Sequence, residues 1–375
     1  MFKRAEFERR VALTRRAMDE AGVDLLIVDH SEMLAWLTGF TISEAMYRAA
    51  FLPREGAPWY ALRDLDADIC RRGCWFDDIT GFADSDDPHT VMAQLMEQRG
   101  FKASRVGADF NSYGFTAATR ERFAALLPQA AFVDLRGVSD SLRMAKSRAE
   151  IEILQRASGI ADIAMEVVRA KIGAGDSARD AAAIAAAAFL KSGADNGDTG
   201  PIVRGNGDHE FLHAAMNSDA LGDGDILHVE LVPKVRNYSA RLMRPILIGS
   251  DKNGLEETSA RIIALQDRQI AAMRPGVVAR EVDAILREGM LREGLRARFD
   301  NVSGYALGLY GRTSRASDFS FCFRPNSEWR LEENMVFHMY ASARGLGFSE
   351  TVLVTGEGGL RLTQTPRQLL RAQTG

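Results

Sequence analysis

The feature that most constrains the fold of this chain is an internal repeat in its second half. Residues 175–193, GDSARDAAAIAAAAFLKSG, and residues 276–294, GVVAREVDAILREGMLREG, align without gaps and share Gly, Ala-Arg, Ala-Ile, Leu and Gly positions. A long amphipathic segment precedes each copy, at 149–172 and at 255–273, and strand-like sequence follows each. Two helix-helix-strand units predict an α+β domain with pseudo-two-fold symmetry, in which the helices pack on one side of a shared sheet.

The first part of the chain has a different pattern. Amphipathic segments alternate there with short apolar runs, which is typical of an α/β domain. The pattern predicts helices at 4–22, 89–99 and 115–127 and strands at 24–28, 48–53, 58–62, 105–109 and 130–134. It ends near Lys146, after which Ser147 and Glu150 have the spacing of a helix capping box. We therefore expect an α/β domain at 1–140 and an α+β domain at 141–375.

The composition narrows the classes of function. The chain has 375 residues, 46% of them hydrophobic, and a formal net charge of -4, which is typical of a soluble globular protein without a bulk attraction to nucleic acid. Its first residues are charged throughout and no later run has the length of a membrane span, so we expect a cytoplasmic protein with no membrane partner. Cys70, Cys74 and Cys322 are too few and too scattered for a disulfide framework or a zinc cluster.

Residues 224–244, GDILHVELVPKVRNYSARLMR, read as a β-hairpin. A Gly-Asp turn leads into a strand at 226–232, a basic turn follows, and a second strand is predicted at 238–248. Because side chains alternate along a strand, His228 and Glu230 are predicted to share one face. The hairpin therefore presents an acid and an imidazole together.

This hairpin resembles a segment of the creatinase, Xaa-Pro aminopeptidase and prolidase family, which has the "pita-bread" fold. In that family an apolar strand ends at a metal-binding Asp and leads through a Tyr to a second metal-binding Asp and an Arg. Tyr238 and Arg244 match the Tyr and the Arg, Glu230 stands at the first Asp, and Arg241 stands at the second. Residues 143–150 and 331–363 resemble the family's opening and closing segments of the catalytic domain, so the resemblance covers essentially the whole chain. It implies the family's fold, with a site on the sheet between the two halves.

The resemblance also implies that the family's metal site is altered. The metal enzymes hold two divalent ions with two Asp, one His and two Glu. Here the His position falls on Tyr305, the first Glu position on Tyr340, and the second Glu position on Glu350. A guanidinium with two carboxylates does not satisfy the charge or the coordination of two divalent ions. We therefore predict no dinuclear metal and no cofactor; one ion held by the clustered histidines is the alternative.

The N-terminal segment, from RRVALTRRAMDEAGVDLLIV to MLAWLTGF, resembles those of creatinase-like and ectoine-hydrolase-like members, which lack the metal set. The remaining polar residues have roles that this resemblance implies. The family's substrate-contacting His matches His213, a candidate acid/base. Glu230 and Glu350 are expected to face one cavity and to hold a nitrogen group or water, although either could instead neutralise Arg241. Tyr305 and Tyr340 are candidate hydrogen-bond donors to a polarised oxygen, or they fill space where metals were. Candidate substrate-binding residues are Arg241, His228, His338, Arg204, Tyr47 and Arg48.

Tyr47 and Arg48 enter this set only by analogy. In creatinase-like dimers, an aromatic residue and an Arg of the partner's N-terminal domain reach the substrate. The resemblance thus implies a homodimer in which the N-terminal domain contributes to the partner's site.

Three functions are compatible with these observations. The first is a metal-independent, creatinase-like hydrolase of a C–N bond (amide, amidine or cyclic amidine) in a small polar nitrogen compound. The second is a catalytically silent protein that binds a small molecule in the same cleft. The third, a metal-dependent Xaa-Pro peptidase, requires ligands that the sequence lacks. The sequence does not identify the substrate.

Overall fold

The computed structural model describes residues 2–41, 45–310 and 320–373. Within these residues the chain forms two compact units: the first ends at Arg143 and the second begins at Met144, with Tyr310 grouped with the first.

The first unit is an α/β domain built on a mixed six-stranded sheet, in the order β4-β3-β2-β1-β5-β6. Strands β1, β5 and β6 are parallel to one another, while β2 is antiparallel to both of its neighbours. Apolar clusters cover the two faces, one around Trp36 and Tyr60 and the other around Phe51 and Phe123. The elements are α1 Arg4–Ala21, β1 Leu25–Val28, α2 Ser31–Thr38, β2 Ala49–Pro53, β3 Trp59–Arg63, α3 Asp64–Gly73, β4 Ile79–Phe82, α4 Pro88–Gln98, β5 Arg105–Ala108, α5 Ala117–Leu126, β6 Ala131–Asp134 and α6 Val138–Ser141.

The second unit begins with the helices of the predicted repeat. Helices α7 (Arg148–Lys171) and α8 (Ala178–Lys191) belong to the first copy, and α9 (Leu255–Ala271) and α10 (Ala279–Arg292) belong to the second. Ser147 and Ser177 each form a capping box at the start of α7 and α8. The predicted α+β architecture with an internal repeat is confirmed.

A nine-stranded sheet joins the two halves of the second unit. Its central path runs β13-β12-β14-β15-β11-β8-β7, with β16 beside β15 and β17 beside β11. The strands are β7 Ile202–Arg204, β8 Ile226–Leu231, β11 Leu242–Leu247, β12 Gly304–Ala306, β13 Cys322–Phe323, β14 Val336–Ala343, β15 Leu346–Thr355, β16 Gly358–Arg361 and β17 Leu370–Arg371. One face packs on the helices: Ala341 and Phe348 share a core cluster with Ile262 and Leu265 of α9. We call this the outer face and the opposite side the inner face.

The predicted hairpin forms, but its second strand is divided. β8 pairs with β11 over its whole length, and a separate two-stranded tip consists of β9 Lys234–Val235 and β10 Tyr238–Ser239. Arg236 and Asn237 make the turn with positive φ angles of 52° and 64°. The break falls at Arg241. Its backbone N–H donates to the Thr351 side-chain oxygen Oγ1 at 2.8 Å and its C=O accepts from the same oxygen at 2.9 Å, so neither group pairs with the backbone of a neighbouring strand.

No helix in the described ranges is long and apolar enough to cross a bilayer.

Candidate functional site

The inner face brings together polar side chains from both halves of the repeat. Strand register places Glu230 opposite Met243, Met243 opposite Ser349, and Ser349 opposite Tyr340. By the same register, His338 lies opposite both Thr351 and Tyr305. Residues opposite one another in a sheet share a face, so Glu230, Tyr340, Tyr305 and His338 lie on the inner face as predicted.

Glu350 lies on the outer face, which corrects the expectation that it faces the same cavity as Glu230. Its register partner is Met339, a core residue on the helix side. Its fully buried carboxylate accepts from Arg244 Nη2 at 2.6 Å, Arg367 Nη1 at 2.8 Å and Thr363 Oγ1 at 2.5 Å. The sequence assignment was displaced by one residue, and a shift of one reverses the face of a strand residue. Of the two neighbours Ser349 and Glu350, it is Ser349 that faces the site.

Glu230 and Arg241 form an ion pair on the inner face. Arg241 Nη1 donates to Glu230 Oε1 at 3.1 Å, and the guanidinium lies 5.2 Å from the centre of the Tyr305 ring. The Glu230 side chain is 4% exposed and that of Arg241 is 22% exposed, so the arginine covers the acid. Burial raises the pKa of the Glu230 carboxyl, and the positive charges of Arg241 and His213 oppose the rise. The expectation that one acid neutralises Arg241 is met by Glu230.

His213 lies at the exposed edge of the inner face. It ends a 3-10 helix, Glu210–His213, whose Phe211 packs edge-on against the buried ring of His228 with 4.9 Å between ring centres. The His213 side chain is exposed to solvent, yet its charge acts on the Glu230 carboxyl. His213 is thus a solvent-exposed imidazole within electrostatic range of the buried acid.

His228 and His338 are buried, and neither ring nitrogen of either residue has a hydrogen-bond partner in the structure. Burial lowers the pKa of His228 to about 3. Burial, assisted by the nearby Arg241 and His228, holds the pKa of His338 well below its usual range. Both imidazoles are therefore neutral, and each offers one donor and one acceptor.

Tyr305, His338 and Tyr340 form an aromatic cluster beside Arg241. The His338 ring stacks on Tyr340 with 5.2 Å between ring centres and meets Tyr305 edge-on at 5.0 Å. The Tyr340 hydroxyl accepts from Asn301 Nδ2 at 3.3 Å, and burial raises the pKa of this phenol to about 12. The Tyr340 phenol is therefore a neutral donor at physiological pH.

Arg204 is not part of this cluster, and Tyr47 and Arg48 have their hydrogen-bond partners within the first unit. Arg204 shares its face with Leu227, opposite to that of His228, and pairs with Asp225 at 3.3 Å. The expectation that Arg204 contacts substrate therefore disagrees with its position, because the side-chain alternation of β7 turns it to the outer side. Tyr47 and Arg48 belong to the first unit, where the Tyr47 hydroxyl donates to Asp29 at 3.0 Å and Arg48 donates to Ser31 at 2.8 Å.

A separate cavity of about 610 Å³ opens on the outer side, between α7, α9 and residues 365–371. Its arginines are paired with neighbouring acids: Arg169 with Glu166 at 2.5 Å, and Arg371 with Glu256 at 2.6 Å. It contains none of the polar residues of the inner face. We therefore assign the candidate functional site to the inner face.

Comparison with known families gives a match for each unit. Residues 10–145 match the creatinase/prolidase N-terminal domain, and residues 152–365 match metallopeptidase family M24.

Relatives and solved structures agree with these matches. The chain is 25% identical to the ectoine hydrolase of Halomonas elongata over 98% of each chain. It is 28% identical to the Xaa-Pro dipeptidase of Pyrococcus furiosus over 64% of this chain and 68% of that one. The solved structure of an Xaa-Pro dipeptidase from Bacillus anthracis superposes with a TM-score of 0.83 at 19% identity, covering 97% of this chain and 99% of the other. The fold is thus the pita-bread fold that the sequence motifs predict.

The residues of the inner face do not fit a dinuclear metal centre. Divalent ions require several carboxylate or imidazole ligands. The positions that correspond to the family's ligand set offer one carboxylate, already paired with Arg241, two phenols and one hydroxyl. The inner face adds two buried imidazoles, His228 and His338, which with a single paired carboxylate do not supply the ligands or the charge that two divalent ions require. In the part of the chain that the structure describes, no group of three or more His, Cys, Asp or Glu residues is placed to hold a metal ion.

Proposed function

The chain belongs to metallopeptidase family M24, and on that basis we propose that it is a metal-independent hydrolase of a C–N bond in a small polar nitrogen compound. The bond is that of an amide, an amidine or a cyclic amidine. The observation that carries the proposal is the Arg241–Glu230 ion pair, which occupies the inner face where metal ligands are expected. A cation and an acid in contact supply charge stabilisation and proton transfer without an ion.

The residues divide the reaction among them. His213 takes a proton from water as the oxygen attacks the substrate carbon, and returns it to the nitrogen as the C–N bond breaks. Tyr340, a neutral phenol, and Arg241 stabilise the negative charge that develops on the oxygen or the ring nitrogen. Glu230 orients the nitrogen group that leaves. Water is the only co-reactant. An open-chain amide or amidine gives two products that share its two hydrogens, and a cyclic amidine opens to a single product that keeps both.

The similarity to an ectoine hydrolase over the full length of both chains supports the cyclic amidine as one candidate class. The similarity includes the first unit. We propose a homodimer in which N-terminal residues of one protomer lie near the site of its partner. Tyr47 and Arg48 remain candidates for that contribution.

The test is turnover by chelator-treated protein. Purified protein is stripped of metal, its metal content is measured, and it is assayed against small amides, cyclic amidines and Xaa-Pro dipeptides. We expect turnover that survives chelation and falls by about 10²- to 10⁴-fold in His213→Ala, the usual contribution of an acid/base group. Activity that appears only on adding back two equivalents of a divalent metal would contradict the proposal.

The second candidate, a silent binding protein, is favoured by one observation. Arg241 covers Glu230, so both charges are already satisfied without a substrate. A compound that stabilises the wild type and His213→Ala alike, and is consumed by neither, would support this candidate instead.

A further inference from the structure

Four buried side chains of the inner face form a continuous polar strip without hydrogen-bond partners. They are His228, Ser342, Ser349 and His338, and their unpartnered atoms are both ring nitrogens of each histidine and the two serine Oγ atoms. All four are at most 1% exposed.

Strand register makes the strip continuous. Ser349 lies opposite Tyr340 on β14, and Ser342 and His338 are the residues two positions to either side of Tyr340, so both are diagonal neighbours of Ser349. The His228 ring extends over the backbone of Gly347, whose absent Cβ would lie 2.8 Å from the ring. Gly347 lies opposite Ser342. The glycine thus lets the imidazole of β8 reach the serines of β14 and β15.

Such a cluster requires an explanation, because buried polar groups in native proteins are nearly always hydrogen-bonded. Apolar replacements would avoid the cost of burying these groups. Each imidazole is neutral and offers a donor and an acceptor, and each hydroxyl offers both. Glu230 and Arg241, the charged residues of the inner face beside the strip, are paired with each other, and His213 lies at the solvent-exposed edge. A net charge bound at the strip would therefore have no counter-ion among these side chains, whereas a group with N–H donors and a C=O acceptor would complement all four.

We propose that this strip is a subsite for an uncharged carboxamide or urea-like group, which enters when the Arg241 and Tyr340 side chains turn outward. Arg241 is the more exposed of the two, and Tyr340 lies directly between Ser342 and His338 on their strand. The inference rests on the proposed function and deepens it, because it identifies the uncharged end of the substrate. Binding at the subsite does not require turnover, so the two proposals can fail separately.

The test uses three probes of matched size and different charge: propionamide, propionate and propylamine. Binding to the full chain is measured by ligand-observed NMR and by calorimetry. We expect propionamide to bind at millimolar concentration and both ions to bind at least tenfold more weakly. Equal binding of either ion, or no detectable binding of propionamide, would overturn the proposal.

Two variants locate the probe. Ser349→Ala removes one hydrogen-bonding partner and is expected to weaken the binding of propionamide about three- to tenfold. Ser158→Ala is the matched control: Ser158 is also buried with an unpartnered Oγ, but it lies on α7. Equal effects of the two variants would refute the assignment.

Gly347→Ala provides a check that removes no polar group. Its added methyl group would meet the His228 ring, so the ring must shift and propionamide affinity is expected to fall. Unchanged affinity in this variant would contradict the role of His228. If propionamide binds as expected but no amide is hydrolysed, the subsite stands and the proposed hydrolase activity fails.

Discussion

The guanidinium of Arg241 donates to the carboxylate of Glu230 across 3.1 Å. Because Glu230 is nearly inaccessible, removing its partner leaves a buried charge uncompensated. We expect Arg241→Gln to lower the free energy of unfolding by about 2–3 kcal/mol, less than for a fully buried pair because the arginine is partly exposed. The Glu230→Gln/Arg241→Gln double variant should lose less than Arg241→Gln alone. Urea denaturation of the two single variants and the double variant measures this coupling; additive losses would show that the pair is not coupled.

Glu350 is predicted to stabilise the fold without contacting substrate. Its carboxylate accepts from two buried or nearly buried arginines, Arg244 and Arg367. Glu350→Gln should therefore cost about 3–5 kcal/mol in unfolding free energy. Glu166→Gln, which breaks an exposed pair with Arg169, is the control and should cost less than about 1 kcal/mol. A Glu350→Gln protein with wild-type stability and no turnover would return this acid to the catalytic set.

The buried histidines predict a loss of stability in acid. The pKa of His228 falls from 6.5 to about 3 on folding, so between these pH values the unfolded chain binds more protons than the native one. The contribution of this residue to the free energy of unfolding is complete above pH 6.5 and is lost as the pH falls toward 3, on the order of 5 kcal/mol in all. The raised pKa of Glu230 acts in the opposite direction, so the His228 effect is isolated by subtraction.

The measurement is unfolding free energy against pH for the wild type and for His228→Gln. The difference between the two curves should decrease steadily as the pH falls below 6.5. A difference that is constant with pH would mean that the histidine is solvated in the native state.

The position of Ser349 predicts how a metal site could be introduced. A variant with Arg241→Asp, Tyr340→Glu and Ser349→Glu places three new carboxylates beside Glu230 on one face. We expect this variant to take up Mn²⁺, measured by calorimetry and by elemental analysis after desalting. The matched control carries Arg241→Asp and Tyr340→Glu but keeps Ser349, so that Glu350 is the only acid at that point of β15. Equal uptake by the control would show that Glu350, not Ser349, faces the site.

Much of this architecture follows from sequence patterns, for identifiable physical reasons. The repeat at 175–193 and 276–294 predicted the paired helices, because each copy has a helical period and ends at a glycine, Gly193 or Gly294, with a positive φ angle. The alternation in β8 placed His228 and Glu230 on one face, because both lie within a single strand. Helices α2 and α3 were not predicted; α2 is almost wholly buried, so it has no amphipathic pattern to detect.

The site was harder to predict because it depends on register between distant strands. Ser349 and Glu350 differ by one position, and only pairing with β14 decides which faces inward. If Tyr340 is taken to face inward, its partner on β15 must also face inward, and that partner is Ser349. The pairing of Arg241 with Glu230 was among the alternatives. The absence of partners around His228 and His338 depends on three-dimensional packing and has no sequence signal.

The network of Glu350, Arg244 and Arg367 fastens the central strands to the helix side of the sheet. Those bonds do not involve the residues of the opposite face. Inner-face residues can therefore be substituted during evolution, and the reaction changed, while the ion pairs of the outer face continue to stabilise the fold. Along a single strand such as β15, residues that stabilise the fold thus alternate with residues that can change with function.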